Sequence, residues 1–122
     1  TAARDVGALA ALKDEIEACA AAASDTRLAG AARTARDSVA HASAWLEAAS
    51  AEGGAALEAG ARRFAMTLGR ALALALLTRH AQWSLGEERD ARAASAARRF
   101  AHAGVDLIAD ADPEDSAALS SE

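Results

Sequence analysis

GARRFAMTLGRALALALLTRHAQW, residues 60–83, is the longest stretch of unbroken helical pattern in the chain and holds much of its bulky apolar volume. Apolar or small residues recur at Ala61, Phe64, Leu68, Leu72, Ala75 and Leu76, the three-and-four spacing that gathers side chains on one helix face. A second row, Ala61, Ala65, Gly69 and Ala73, is small at every fourth position. Such a row lets a neighbouring backbone approach closely and predicts a packed ridge. From Ala71 to Leu77 the helix is apolar all round, which predicts burial on most sides.

The rest of the chain resolves into helices on either side of this one. Helix one is expected over 2–23, with Val6, Leu9, Leu12 or Lys13, Ile16, Cys19 and Ala23 on its inner face. Ser24-Asp25-Thr26 supplies cap and turn residues. Helix two is expected over 26–50. Its seam, Leu28, Ala32, Ala35, Val39, Ala42, Leu46 and Ala49, steps alternately by four and three, and Trp45 beside it covers one end of the core. Ser50 to Gly54 breaks the pattern, and helix three is expected over 55–85, with Gly86 at its C-terminus. Helix four starts at Glu87 and Glu88, and its periodicity carries it through Gly104 to about Asp110; the competing reading makes Gly104 a C-terminal cap. Asp112-Pro113 opens a short helical turn over 113–119. Short connections make sequential helices antiparallel. The expected fold is therefore all-α: one antiparallel up-down-up-down four-helix bundle over residues 1–122, with a short C-terminal helical turn.

Composition sets the character of that bundle. Of the 122 residues, 40 are Ala and only 20 are Leu, Ile, Val or Phe. Alanine favours helix but fills little space, so the core is thin and its stability modest or shared with a partner surface. A net charge of −5 and a pI near 5.2 argue against nucleic acid as a partner. The longest uncharged apolar run lies between Arg70 and Arg79, far short of a membrane span. The single cysteine, Cys19, excludes a disulfide framework and fits a reducing compartment, with cytoplasmic localisation expected.

Chemistry-bearing motifs are sparse. His41, His80 and His102 have Ser38, Leu77 and Arg99 three residues before them, so the Glu-x-x-His pattern of bundle metal sites is missing. Met66 reads as a gap-filler, Cys19 as a buried inert thiol, and no phosphate-cradling glycine motif occurs. No catalytic, cofactor-binding or metal-ligating residue is assigned. One surface feature has direction. Arg89, Arg92, Arg99 and His102 share a face of helix four, with Arg98 adjacent. This stripe is a candidate contact for an acidic partner or for phosphates, against the alternative of a solvated face balanced by Glu87, Glu88 and Asp90.

Two segments carry a family resemblance. GARRFAMTLGRALALALLTRHAQW, followed by DARAASAARRFAHAGVDLIADADPEDSAAL, resembles the C-terminal helical extension of bacterial acyl-CoA dehydrogenases. There, one helix has a Leu/Ala-rich run closed by a His-Ala-Gln-Trp-like segment, and the next has an Ala/Arg run ending in a bulky residue, here Phe100. The resemblance covers about residues 57–119. It implies a parent flavoprotein that uses FAD and a carboxylate base to oxidise an acyl-CoA thioester to the 2-enoyl-CoA. None of that family's base or flavin-contacting residues has a counterpart here. The implied role is an appended domain that packs on the catalytic body or another subunit of a homo-oligomer, serving assembly, active-site shielding or substrate-end recognition. A chain that begins at Thr1 without Met fits a piece of a longer enzyme. The rival reading is a free-standing amphipathic helical binder, phasin-like, or a dimerisation module that pairs its Ala seam across chains.

Overall fold

A computed structural model describes the backbone of residues 2–108 and the side chains of residues 7–108. These residues are all-helical, with four α-helices: α1 (Ala2–Ala22), α2 (Ala29–Glu52), α3 (Gly54–Trp83) and α4 (Arg92–Ala103). A single 3₁₀ turn, Thr26–Leu28, leads into α2, and a widened π turn, Ser84–Glu88, leaves α3. The expected turn at 113–119 lies outside the described residues.

At 30 residues α3 is about 45 Å long, and it packs against each of the other three helices. The core is as thin as the composition predicts. Ile16, Leu28 and Leu74 are the largest fully buried side chains, and alanines such as Ala35, Ala42, Ala71 and Ala75 fill the space between the helices. The α2 seam is buried at Leu28, Ala32, Ala35, Val39, Ala42 and Ala49, with Leu46 half-buried. It is consumed inside one chain, which leaves it unavailable for pairing across chains.

The buried face of α3 differs from the expected one. Thr67, Ala71, Leu74, Ala75, Thr78 and Ala81 turn inward. Phe64, Leu68 and Leu72 are half-buried, and Leu76 is exposed. The small row Ala61, Ala65, Gly69 and Ala73 is exposed along its whole length, so none of the described helices uses it as a groove. Two threonines lie on this inward face. Thr78 Oγ1 donates to the Leu74 carbonyl at 2.7 Å, and Thr67 Oγ1 accepts the Leu107 N–H at 3.0 Å. Both hydroxyls are buried, and both are satisfied. Thr67→Val keeps the shape and removes the acceptor. It is expected to lower stability by about 1–2 kcal/mol in urea unfolding, because the Leu107 N–H loses its partner.

The connections carry the remaining corrections. Gly53 alone joins α2 to α3, at φ 110°, where its N–H donates to Ala49 O at 3.1 Å. Trp45 lies across Gly60: an added Cβ there would stand 2.0 Å from the indole. Its ring also meets Phe64 at 5.5 Å, so Trp45 does close the α2–α3 end of the core. Gly86 does not end α3; the π turn runs through it, and Arg89 takes the left-handed conformation, φ 53°. Helix α4 therefore begins at Arg92 and not at Glu87. It stops at Ala103, because Gly104 turns to φ 104°, and continuation to Asp110 is overturned in favour of the glycine stop. Residues 105–108 are strapped down instead. Arg70 donates to Gly104 O at 2.8 Å, His41 Nδ1 meets Asp106 at 2.6 Å, and Val105 and Ile108 are buried.

Candidate partner-facing surfaces

The delayed start of α4 divides the basic stripe. Arg89 sits on the connection in its left-handed turn, off the helical face. Arg92 and Arg99 line one shallow groove with Ser95 and Asp90, about 440 Å³ in volume. Arg98 and His102 line a second, about 210 Å³, whose far wall is Arg27 and Thr34. The stripe thus becomes two neighbouring grooves, and Arg27, which the sequence did not single out, joins the second. Arg98, Arg99 and His102 are all exposed.

One local motif shapes both grooves. In Asp25-Thr26-Arg27 and in Asp90-Ala91-Arg92, the aspartate accepts the arginine's backbone N–H at 2.9 Å and grips its guanidinium as well. Asp25 is the N-cap of the 3₁₀ turn that follows, and Asp90, one residue before the N-cap Ala91, clasps the first residue of α4. The first is also tied to α3: the Asp25 N–H donates to Gln82 Oε1 at 2.8 Å. Gln82 belongs to the His-Ala-Gln-Trp segment, so that segment anchors the α1–α2 corner. The guanidinium bond first, and then the backbone N–H, pull both carboxyls from 3.8 to about 2. A carboxyl depressed on folding contributes stability above its unfolded value and loses it as pH falls through the folded one. Both aspartate–arginine clasps are expected to hold at pH 4 and to release toward pH 2, read as carboxyl NMR titrations with midpoints near 2 for Asp25 and Asp90.

A further groove runs between α1 and α2, about 630 Å³, with Ile16 and Val39 among its lining. Its walls carry Asp14, Glu17, Asp37 and Glu47 against Lys13 and Arg36, and Arg36 is held by Glu17 at 2.6 Å. Ser43 Oγ is enclosed there and has no hydrogen-bond partner among the described residues. Cys19 is fully buried, its Sγ 3.7 Å from Glu15 Oε1. Burial pushes its thiol pKa up, against the opposing charge of Arg79, which disfavours the thiolate. His80 stacks on Trp83 at 5.8 Å on the outer face of α3. Among the described residues, no group of three His, Cys, Asp or Glu could hold a metal ion, and no helix is long and apolar enough to cross a membrane.

Comparison with curated proteins and with solved structures returns no match. A family model described as "Acyl-CoA dehydrogenase 11 C-terminal domain-like" does match, over residues 7–120. That is nearly the whole chain, and it includes the Ala-rich first half that carries no distinctive motif of its own. With its all-helical fold, the chain belongs to this family of acyl-CoA dehydrogenase C-terminal domains.

Proposed function

We propose that the domain is an accessory part of a longer acyl-CoA dehydrogenase, contributing to assembly or to shielding of the active site, with no redox chemistry of its own. Family membership over residues 7–120 is the observation that carries this reading. The parent would oxidise acyl-CoA to 2-enoyl-CoA with FAD held by its catalytic body, in a reducing, cytoplasmic setting that suits the single reduced thiol. The grooves here fit a flavin poorly. The α1–α2 groove sets four carboxylates against two cations, which repels a pyrophosphate, and in the Arg92–Arg99 groove Asp90 already occupies Arg92. The basic grooves beside α4 are the surfaces that would face the body or another subunit. An up-down-up-down order of the helices is the natural reading of a one-residue connection at Gly53 and short ones elsewhere.

The purified 122-residue chain is expected to carry no flavin absorbance and to support no acyl-CoA-dependent dye reduction. Removing this segment from a full-length enzyme is expected to change assembly or solvent access at the flavin while leaving the flavin bound. Stoichiometric flavin on the isolated chain, or turnover by it, would overturn the proposal.

A further inference from the structure

Among the described residues nothing covers the face of α3 opposite the core, and its large side chains are apolar. Met66, Gly69, Ala73, Leu76, His80 and Trp83 step alternately by three and four, so at 100° per residue they occupy one sector of about 100°. All six are exposed. Met66, Leu76 and Trp83, at 41%, 39% and 53%, are the large hydrophobics that the fold leaves outside. Arg62 precedes this row by four residues on α3, and Glu87 stands just past its other end in the π turn; both are exposed.

The spacing reads the same from both ends. A second helix laid antiparallel across this one therefore sets each residue against the one equally far from the other end. Trp83 then faces Met66, His80 faces Gly69, and Leu76 faces Ala73, large against small at the two inner levels. Arg62 faces Glu87, positive against negative, and the twofold makes every pair twice. The small residues at 69 and 73 let the axes approach to about 8 Å, at the close end of helix pairing. A row that is self-complementary in size and charge under a twofold is what an isologous interface requires.

We propose that two copies of this domain pair through the outer faces of their α3 helices, antiparallel, with Trp83 on Met66 and Arg62 on Glu87 of the second copy. The pairing rests on α3 and the π turn that follows it, and is independent of the accessory role. Within a longer enzyme, the pairing would join two catalytic bodies through their appended domains.

Sedimentation of the 122-residue chain tests the pairing without reference to flavin or turnover. Across concentrations from about 5 to 500 μM, a monomer–dimer equilibrium with a micromolar Kd is expected. Ala73→Arg, at an exposed helical position, should leave the circular dichroism unchanged and raise Kd at least about tenfold, because the charge is buried against Leu76 of the second copy. Arg62→Glu and Glu87→Arg should each weaken the dimer about three- to tenfold, and the double swap should return Kd to within about threefold of the native value. A chain that stays monomeric throughout, or a dimer indifferent to Ala73→Arg, overturns the proposal and leaves the row to a catalytic body or an apolar surface. A double swap no better than the single swaps overturns the antiparallel register.

Discussion

Leu74→Ala is expected to cost about 3–4 kcal/mol and to lower the melting temperature by roughly 10–20 °C, measured by thermal and urea unfolding. Leu74 is fully buried on α3, one of few large aliphatic side chains at the centre. Its neighbours on the same face, Ala71, Ala75 and Ala81, have no longer side chain that could swing into the space. The cavity therefore stays open, which places the loss toward the upper part of the range for such truncations. A domain of this size holds about 5–15 kcal/mol, and a core built of alanine belongs at the lower end. One substitution thus removes a large share of the total. Leu74→Met, which conserves volume, is expected to cost less than about 1.5 kcal/mol, and the contrast separates cavity formation from a general intolerance at the site.

Gly60→Ala is the second large effect, and here two terms oppose each other. In a helix interior, alanine is better than glycine by about 1 kcal/mol. The new methyl would stand 2.0 Å from the Trp45 ring, far inside contact distance, so the indole must leave. Displacing it uncovers the α2–α3 end of the core and breaks the Trp45–Phe64 ring contact. The steric term wins, and a net loss of about 1–3 kcal/mol is expected in chemical denaturation. With Trp45→Ala already in place, the clash is gone. Adding Gly60→Ala to that background should then stabilise by about 1 kcal/mol. A reversal of sign between the two backgrounds identifies the glycine as the seat of the tryptophan.

The helices were legible in the sequence because alanine, leucine and arginine all favour them, and the α2 seam was legible because its large residues recur in strict register. The buried face of α3 was not. In an alanine-rich helix several faces are small, and periodicity then says little about which one turns inward. Thr67 and Thr78 lie on that face with their hydroxyls satisfied by the Leu107 N–H and the Leu74 carbonyl, which hydropathy cannot register. Helix ends failed for a related reason. Gly86 offered a stop that the chain did not use, while Arg89 took the left-handed turn and Gly104 became the stop that periodicity had overrun. The stripe Arg89, Arg92, Arg98, Arg99 and His102 assumed a helix already running at residue 89; α4 begins at Arg92, which drops Arg89 from the face, and the other four are shared between two grooves. The exposed row of α3 carried a usable signal all along. Its alternating spacing from Arg62 to Glu87 is as regular as that of the α2 seam.

The buried thiol gives the molecule a built-in clock. Cys19 is the chain's single sulfhydryl and has no exposed surface in the folded state. An alkylating reagent reaches it only when α1 lifts from α2 and α3, so labelling follows the population of that opening and not the intrinsic reactivity of the group. Because the side chain is native, the same clock can be read in the isolated domain and in a longer protein that carries it. A slower tick in the longer protein would measure how much a neighbouring body lends to a core too thin to be rigid by itself.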